Sequence, residues 1–151
     1  MKKQILAFLL LFSLVVHSQP PAVEEPIGRR FGWSMIKVID SVLKEDDFQY
    51  LDYTIQKLPA FTLIGVAFSD TEKRHYLNYA FKDDKCVRAT LILPIEEMSD
   101  VINDFDKHYT NTGRQRWRSS FGLIAVTAAT GKESIRNDGK PHVLVEYDLA
   151  D

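Results

Sequence analysis

Cysteine is almost missing from this sequence, which contains one, Cys86, in 151 residues. A single cysteine excludes an internal disulfide, so the stability of the fold must come from a packed hydrophobic core. An excess of basic residues is missing as well, because the formal net charge at pH 7 is −2. A mildly acidic chain is not typical of proteins that bind nucleic acid or anionic membranes, and we predict no nucleic-acid partner.

Long hydrophobic runs are also missing, apart from one near the start. Residues 5–16 read ILAFLLLFSLVV and follow Lys2 and Lys3. This run is shorter than the ~20 residues that a membrane-spanning helix needs, and a basic start, an apolar run and a cut before Gln19 are the layout of a secretory signal peptide. We therefore predict a signal peptide at residues 1–18, export to the periplasm or the medium, and no stable membrane insertion after cleavage.

What remains after this cut fits one domain. Residues 19–30 contain three prolines and little apolar periodicity, which favours an extended leader, although Ile27 could dock on the body. Residues 31–151 have a length typical of a single domain with one core, ~100–150 residues.

Two segments repeat apolar residues at helical spacing. The first begins at Ser34, which suits an N-cap, and ends near Leu43; the second begins at Pro94 and ends before Gly113. Seven other segments have the alternation or the β-branched content of strands. They are residues 51–55, 61–68, 76–81, 86–93, 114–119, 123–129 and 142–149. The predicted fold is α+β: a mostly antiparallel sheet with two helices packed on one face, in the order α-ββββ-α-ββ(β).

Cys86 has four conceivable roles: half of an intermolecular disulfide, a lipid anchor, a nucleophile, or a passive strand residue. A lipid anchor would need cysteine directly after the cut, where Gln19 stands. The charges of Lys85 and Arg88 could lower the thiol pKa, and on an ideal strand Arg88 shares the face of Cys86 whereas Lys85 does not. Because no matched base or second cysteine is evident, we predict a passive residue and leave the intermolecular bridge open.

Catalytic and metal-binding motifs are also missing from the sequence. His75, His108 and His142 lie on different predicted elements, and none of the common hydrolase, zinc or redox motifs occurs in the sequence. Asp104 and His108 are one helical turn apart, a spacing typical of a solvated surface contact. We therefore predict no enzyme activity, no catalytic residue, no cofactor and no metal.

Arginine alternates in the segment RQRWRS. As a strand, this segment would place Arg114, Arg116 and Arg118 on one side and Trp117 on the other, and three guanidinium groups could bind carboxylates or phosphates of a partner. An exposed strand face above a buried tryptophan explains the same pattern without a partner. Tyr76 is one of several tyrosines that could line a binding face of the sheet. These four residues are our candidate partner-binding residues.

Two stretches of the sequence resemble segments of a group of small exported proteins. FGWSMIKVIDSV, followed by paired strands ending in LNYAFKDDKCVRATL, resembles small exported modules similar to the outer-membrane assembly lipoprotein BamE/SmpA and to β-lactamase-inhibitor-like domains. The matching positions are Gly32 and Ser34 at the helix start and Tyr79, Phe81 and Val87 in the hairpin. The resemblance implies a protein-binding scaffold without an active site. We expect an exported, non-catalytic module that binds another envelope or secreted protein; the alternatives are a small hydrolase with an unidentified site and an immunity- or inhibitor-type protein.

Overall fold

The computed structural model describes residues 27–130 and 140–150. The predicted signal peptide, most of the leader and most of the connection at residues 131–141 lie outside these residues.

Within the described residues the chain forms two α-helices and eight strands. Short 3-10 turns at Gly28–Arg30 and Ile95–Glu97 lead into the two helices. The helices are α1 (Met35–Glu45) and α2 (Met98–His108). The strands are β1 (Phe48–Lys57), β2 (Thr62–Asp70), β3 (Tyr76–Lys82), β4 (Lys85–Pro94), β5 (Thr110–Asn111), β6 (Arg116–Arg118), β7 (Gly122–Thr130) and β8 (Pro141–Leu149).

All of these strands pair antiparallel in one sheet, in the order β1-β2-β3-β4-β8-β7-β6-β5. The predicted α+β class with a mostly antiparallel sheet is confirmed. The predicted order is wrong after α2, where four strands follow instead of two or three. The additional strand, β5, is only two residues long, and so short a strand cannot show an alternating pattern in the sequence.

The element order repeats itself. A helix followed by four strands occurs twice along the described chain, and the last strand of each set, β4 and β8, pair with each other at the centre of the sheet. We call residues 27–94 the first half and residues 95–150 the second half. The halves show no matching sequence repeat, so this arrangement is visible only in the topology.

The helices form where the apolar spacing predicts them. Val38 and Val42 are fully buried on α1, and Phe105 is buried on α2. Ser34 precedes α1 as expected for an N-cap, but its side chain makes no capping bond. The Met35 N–H donates instead to Asp84 Oδ1 at 3.0 Å, so the turn between β3 and β4 satisfies one free amide at the start of the helix.

One hydrophobic core contains residues of both halves. Helix residues Val38, Val42 and Phe105 belong to the same buried cluster as residues from six of the strands. The Phe105 ring lies edge-on to Trp117 and Tyr147, with centroids 5.4 and 6.3 Å away. The strand residues of the cluster are Val66, Phe68, Leu77, Tyr79, Phe81, Cys86, Ala89, Leu93, Trp117, Ile124, Val126, Val143, Val145 and Tyr147. We call the side of the sheet that carries them the core face.

A β-bulge in β4 decides where two candidate residues point. Ala80 pairs with Arg88 but Phe81 pairs with Cys86, so Val87 is an extra residue in the ladder. The thiol of Cys86 therefore lies on the core face and Arg88 on the opposite face. The expectation that the two side chains share a face is wrong, because it assumed an ideal strand.

Candidate functional site

The face of the sheet opposite the core carries two rows of mostly polar and small side chains. The strand register fixes the members of each row. The first row contains Thr54, Gly65, Ala80, Arg88, Asp148, Leu123 and Arg118. The second row contains Asp52, Ala67, Asn78, Thr90, Glu146, Ala125 and Arg116. We call the surface formed by both rows the polar face.

Small residues lie along the polar face, and the Thr54 side chain fills the space at one of them, Gly65. A Cβ atom added to Gly65 would lie 2.7 Å from Thr54 Oγ1 and 3.4 Å from Asn78 Oδ1, which places all three on the same side. Near Ala80 there is an open hollow of ≈510 Å³. Its lining combines cationic Lys82 and Arg88 with apolar Phe61, Leu63 and Leu149, among others. The hollow can therefore accept apolar groups beside an anionic one.

The charges at this hollow are partly paired. Arg88 Nε donates to Asp148 Oδ1 at 2.6 Å, and this hydrogen bond raises the pKa of Arg88 above its usual value. Both side chains are about half exposed, so the pair contributes little to stability. Lys82 is an exposed residue, and its Nζ lies 4.6 Å from the centre of the Phe61 ring, a cation–π distance.

The predicted arginine site is only partly assembled by the fold. Arg116 and Arg118 are exposed on β6 while Trp117 between them is fully buried, as the alternation predicts. Arg114 is not on this strand. It lies in the turn between β5 and β6 with a φ of 52°, and Gln115 beside it has a φ of 57°. The prediction of three arginines on one strand is therefore wrong, because a left-handed turn replaces the first strand residues.

Tyr76, the fourth candidate residue, lies on the same face as the two strand arginines. It stands on β3 between Ser69 of β2 and Ile92 of β4, two residue pairs beyond the second row and therefore in the next row on this face. Ser69 and Ile92 are buried and Tyr76 is half-buried. Tyr76 therefore borders the more enclosed end of this side of the sheet.

A cluster around His75 was not predicted. His75 Nδ1 lies 2.7 Å from Asp70 Oδ2, and Nε2 lies 2.9 and 3.1 Å from the two carboxylate oxygens of Glu97. Burial alone would lower the pKa of His75, but the hydrogen bonds to Glu97 and Asp70 outweigh it and raise this pKa. A protonated histidine with both ring nitrogens bound to carboxylates links them as a clamp, and neither nitrogen is then left to accept a proton from a nucleophile.

The remaining cysteine and histidine side chains are buried or hydrogen-bonded within the fold. Cys86 is fully buried, and burial raises the pKa of its thiol to about 12, so the thiolate form is not available near neutral pH. His108 Nδ1 donates to the Asp104 carbonyl at 2.9 Å on the exposed side of α2. His142 is fully buried with Nδ1 3.2 Å from the Lys140 carbonyl. The passive role predicted for Cys86 agrees with its position.

Arg30 was also missed. This guanidinium is fully buried, although the sequence predicts an extended leader that runs through residue 30. It donates to Ser41 Oγ at 3.1 Å, to Asp46 Oδ2 at 2.9 Å and to the Tyr79 hydroxyl at 2.9 Å. Arg30 therefore joins the start of the domain to α1 and β3, a structural role that no local pattern reveals.

Among residues 27–130 and 140–150, no group of three or more His, Cys, Asp or Glu residues is arranged to hold a metal ion. No helix in the same part of the chain is long and apolar enough to cross a membrane. Comparison with family models, with curated proteins and with solved structures finds no match to this chain.

Proposed function

We propose that this chain is an exported, non-catalytic binding module, and that it binds another cell-envelope or secreted protein through the polar face. The observation that carries the proposal is the composition of this face. It combines exposed arginines, a shallow hollow and an exposed Leu123 on a surface built from regular strands. Protein interfaces are typically enriched in arginine around an apolar centre, and strands hold such a constellation in a fixed geometry.

The charges of the polar face favour an acidic partner surface at one end. Asp148 is matched by Arg88 near the middle. Among the described residues, Arg116 and Arg118 have no carboxylate within ion-pair distance. Unpaired guanidinium groups at alternate positions of one strand share a face and can bind carboxylates of a partner in bidentate geometry.

The position of the helices supports the same surface. Val38 and Val42 of α1 and Phe105 of α2 belong to the cluster on the core face, so we place both helices on that side. The polar face is then the side that the helices leave open. The resemblance to BamE/SmpA-like and β-lactamase-inhibitor-like modules implies a binding scaffold, in keeping with this arrangement. An immunity- or inhibitor-type protein would use the same surface and differ only in its partner.

The test is site-specific photo-cross-linking in the cells that produce the protein. A photo-reactive amino acid replaces Ala125 or Arg118 on the polar face, and Ile36, which is 75% exposed on α1, serves as the matched control. We expect a discrete cross-linked product from the two polar-face positions only. The double change Arg116→Glu, Arg118→Glu should remove the product obtained at Ala125, because it reverses the charge that attracts an acidic partner.

The same material tests export. The intact mass of the protein recovered from the envelope or medium should correspond to a chain that begins at Gln19 and carries no lipid. Equal cross-linking from Ile36 would contradict the assigned face. A protein that retains Met1 in the cytosolic fraction would contradict export.

A further inference from the structure

The outer edge of the sheet at β1 is unusually open. β1 is an edge strand that pairs only with β2 in the described structure, and every residue from position 49 to position 60 is exposed. On the core face of β1, Tyr53 is 57% exposed and Ile55 is 56% exposed, although their neighbours on β2 belong to the core or pack against it. A long edge strand with exposed apolar side chains presents free backbone groups to another strand.

We propose that β1 pairs antiparallel with β1 of a second copy of this chain, around a two-fold axis at Thr54, so that two sheets join into one. This inference concerns the outer edge of the sheet, where Asp52 and Thr54 also belong to the polar face, and it does not depend on the proposed function. The strand itself argues for a second copy as the occupant, because its sequence is complementary to its own reverse in one register.

That register places Thr54 opposite Thr54 of the second copy. Tyr53 then lies opposite Ile55 on the core face, and Asp52 lies opposite Gln56 on the polar face; both pairs occur twice by symmetry. Aromatic residues opposite β-branched residues and threonines opposite each other are favourable cross-strand pairs. The Gln56 amide can donate to the Asp52 carboxylate. Apolar side chains thus meet apolar ones and polar side chains meet polar ones.

Neighbouring registers lack this match. With Ile55 on the axis, Tyr53 would face Lys57 and Asp52 would face Leu58. With Tyr53 on the axis, the pairing would run into the β-bulge at Leu51, where the register of β1 against β2 shifts between Tyr50 and Asp52. The bulge therefore limits the pairing to the stretch centred on Thr54.

One backbone N–H at this edge, that of Tyr53, is bonded to a side chain that a second copy could replace. The Tyr53 N–H donates to Asp52 Oδ1 of the preceding residue at 2.7 Å, a bond within the edge strand itself. A carbonyl of a second copy can accept this N–H, and Asp52 is then free to bind Gln56 across the axis. Because Thr54 and Asp52 belong to the polar face, the pairing would also make the polar faces of the two copies continuous.

The first test measures association. Sedimentation velocity of the purified protein, from micromolar to near-millimolar concentration, should show a reversible monomer–dimer equilibrium. Ile55→Lys should weaken dimerisation about tenfold or more, because lysine on an edge strand opposes pairing. Ile36→Lys, at an exposed isoleucine of α1, should leave the equilibrium unchanged. A protein that is monomeric throughout, or equal effects of the two variants, would overturn the proposal.

The second test reads the register. In Thr54→Cys the two introduced thiols would lie on Cα atoms about 4.5–5.5 Å apart, a separation that a disulfide accepts. We expect this variant to oxidise to a covalent dimer, whereas Asp52→Cys and Gln56→Cys should each stay monomeric alone and cross-link when mixed. The buried Cys86 gives a wild-type control without an accessible thiol. Cross-linking of Asp52→Cys with itself as fast as Thr54→Cys, or no cross-link at Thr54→Cys, would show that the assigned pairing is wrong.

Discussion

His75 shows how one residue can connect distant segments through its charge. Asp70 ends β2, the turn that follows supplies His75, and the 3-10 turn before α2 supplies Glu97. The Arg74 guanidinium nitrogen Nη2 lies 3.9 Å from Glu97 Oε1 and adds a second positive charge to the cluster. With a proton on each nitrogen, the imidazolium donates to both carboxylates at once; the neutral ring can donate to only one of them. The clamp between the two halves is therefore complete only in the protonated state.

This clamp predicts a stability that depends on pH. The pKa of His75 is raised above its ordinary 6.5, so its contribution is present below pH 6.5 and is lost as the pH rises through the folded-state pKa. The pKa of Asp70 is lowered from 3.8 despite its partial burial, because the Arg74 N–H and His75 bind the carboxylate, so its contribution is lost only in acid. The melting temperature should be highest between these limits and fall on the alkaline side.

The variant that checks this prediction is His75→Gln. It should flatten the alkaline fall in melting temperature, and His108→Gln, at an exposed histidine of α2, should not. The imidazole is partly exposed, so we expect an effect of about 1 kcal/mol or less, a few degrees in melting temperature. An unchanged alkaline fall in His75→Gln would show that another group causes it.

At the scale of single residues, sequence patterns predict burial better than partners. The alternation around Trp117 correctly places this side chain inside and Arg116 outside. The predicted face of Arg88 is wrong, because nothing in the neighbouring sequence indicates the bulge at Val87. Arg30 finds its partners in segments distant along the chain, and such contacts depend on the tertiary fold rather than on neighbouring residues.

At the scale of elements, the spacing of apolar residues predicts which helices and strands form better than it predicts where they begin and end. The first four predicted strands all occur, and each has more residues than its predicted stretch, because pairing continues where the sequence pattern has stopped. The segment before β6 fails for a local reason. Gly113, Arg114 and Gln115 all have positive φ, at 97°, 52° and 57°, and a turn of this kind is difficult to predict when two of its residues are not glycine.

Helix α2 should depend strongly on one side chain. Phe105 is 6% exposed and contacts the rings of Trp117, Tyr147 and Tyr109. Phe105→Ala should leave a cavity and cost about 3–5 kcal/mol, a large part of the ~5–15 kcal/mol that stabilises a typical domain. Chemical denaturation measures this cost.

Two matched controls make this measurement specific. Lys107→Ala on the exposed side of the same helix should change stability by less than about 0.5 kcal/mol, and Arg116→Gln with Arg118→Gln should be similarly mild, because exposed charges contribute little. If Phe105→Ala leaves the free energy of unfolding unchanged while the arginine variant lowers it strongly, the buried and exposed sides are assigned the wrong way round.

At the scale of the whole molecule, the two halves share both their core and their central strands. β4 pairs with β8 over seven residue pairs, from Arg88 opposite Asp148 to Pro94 opposite His142. The hydrophobic cluster runs through both halves without a break. Because this cluster and the β4–β8 ladder join the two halves, separating them would expose apolar strand residues of both.

We therefore predict that the halves unfold together. Trp33 lies in the first half and Trp117 in the second, and the sequence contains no other tryptophan. In a Trp33→Phe background, the fluorescence of Trp117 reports on the second half alone. Val38→Ala removes two methyl groups from a fully buried position of the first half, at a cost of about 1.5 kcal/mol or more. With cooperative unfolding, this distant change should lower the denaturation midpoint seen by Trp117 as much as the midpoint seen by far-UV circular dichroism. A Trp117 midpoint that does not move while the dichroism transition splits would show instead that the second half holds its structure alone.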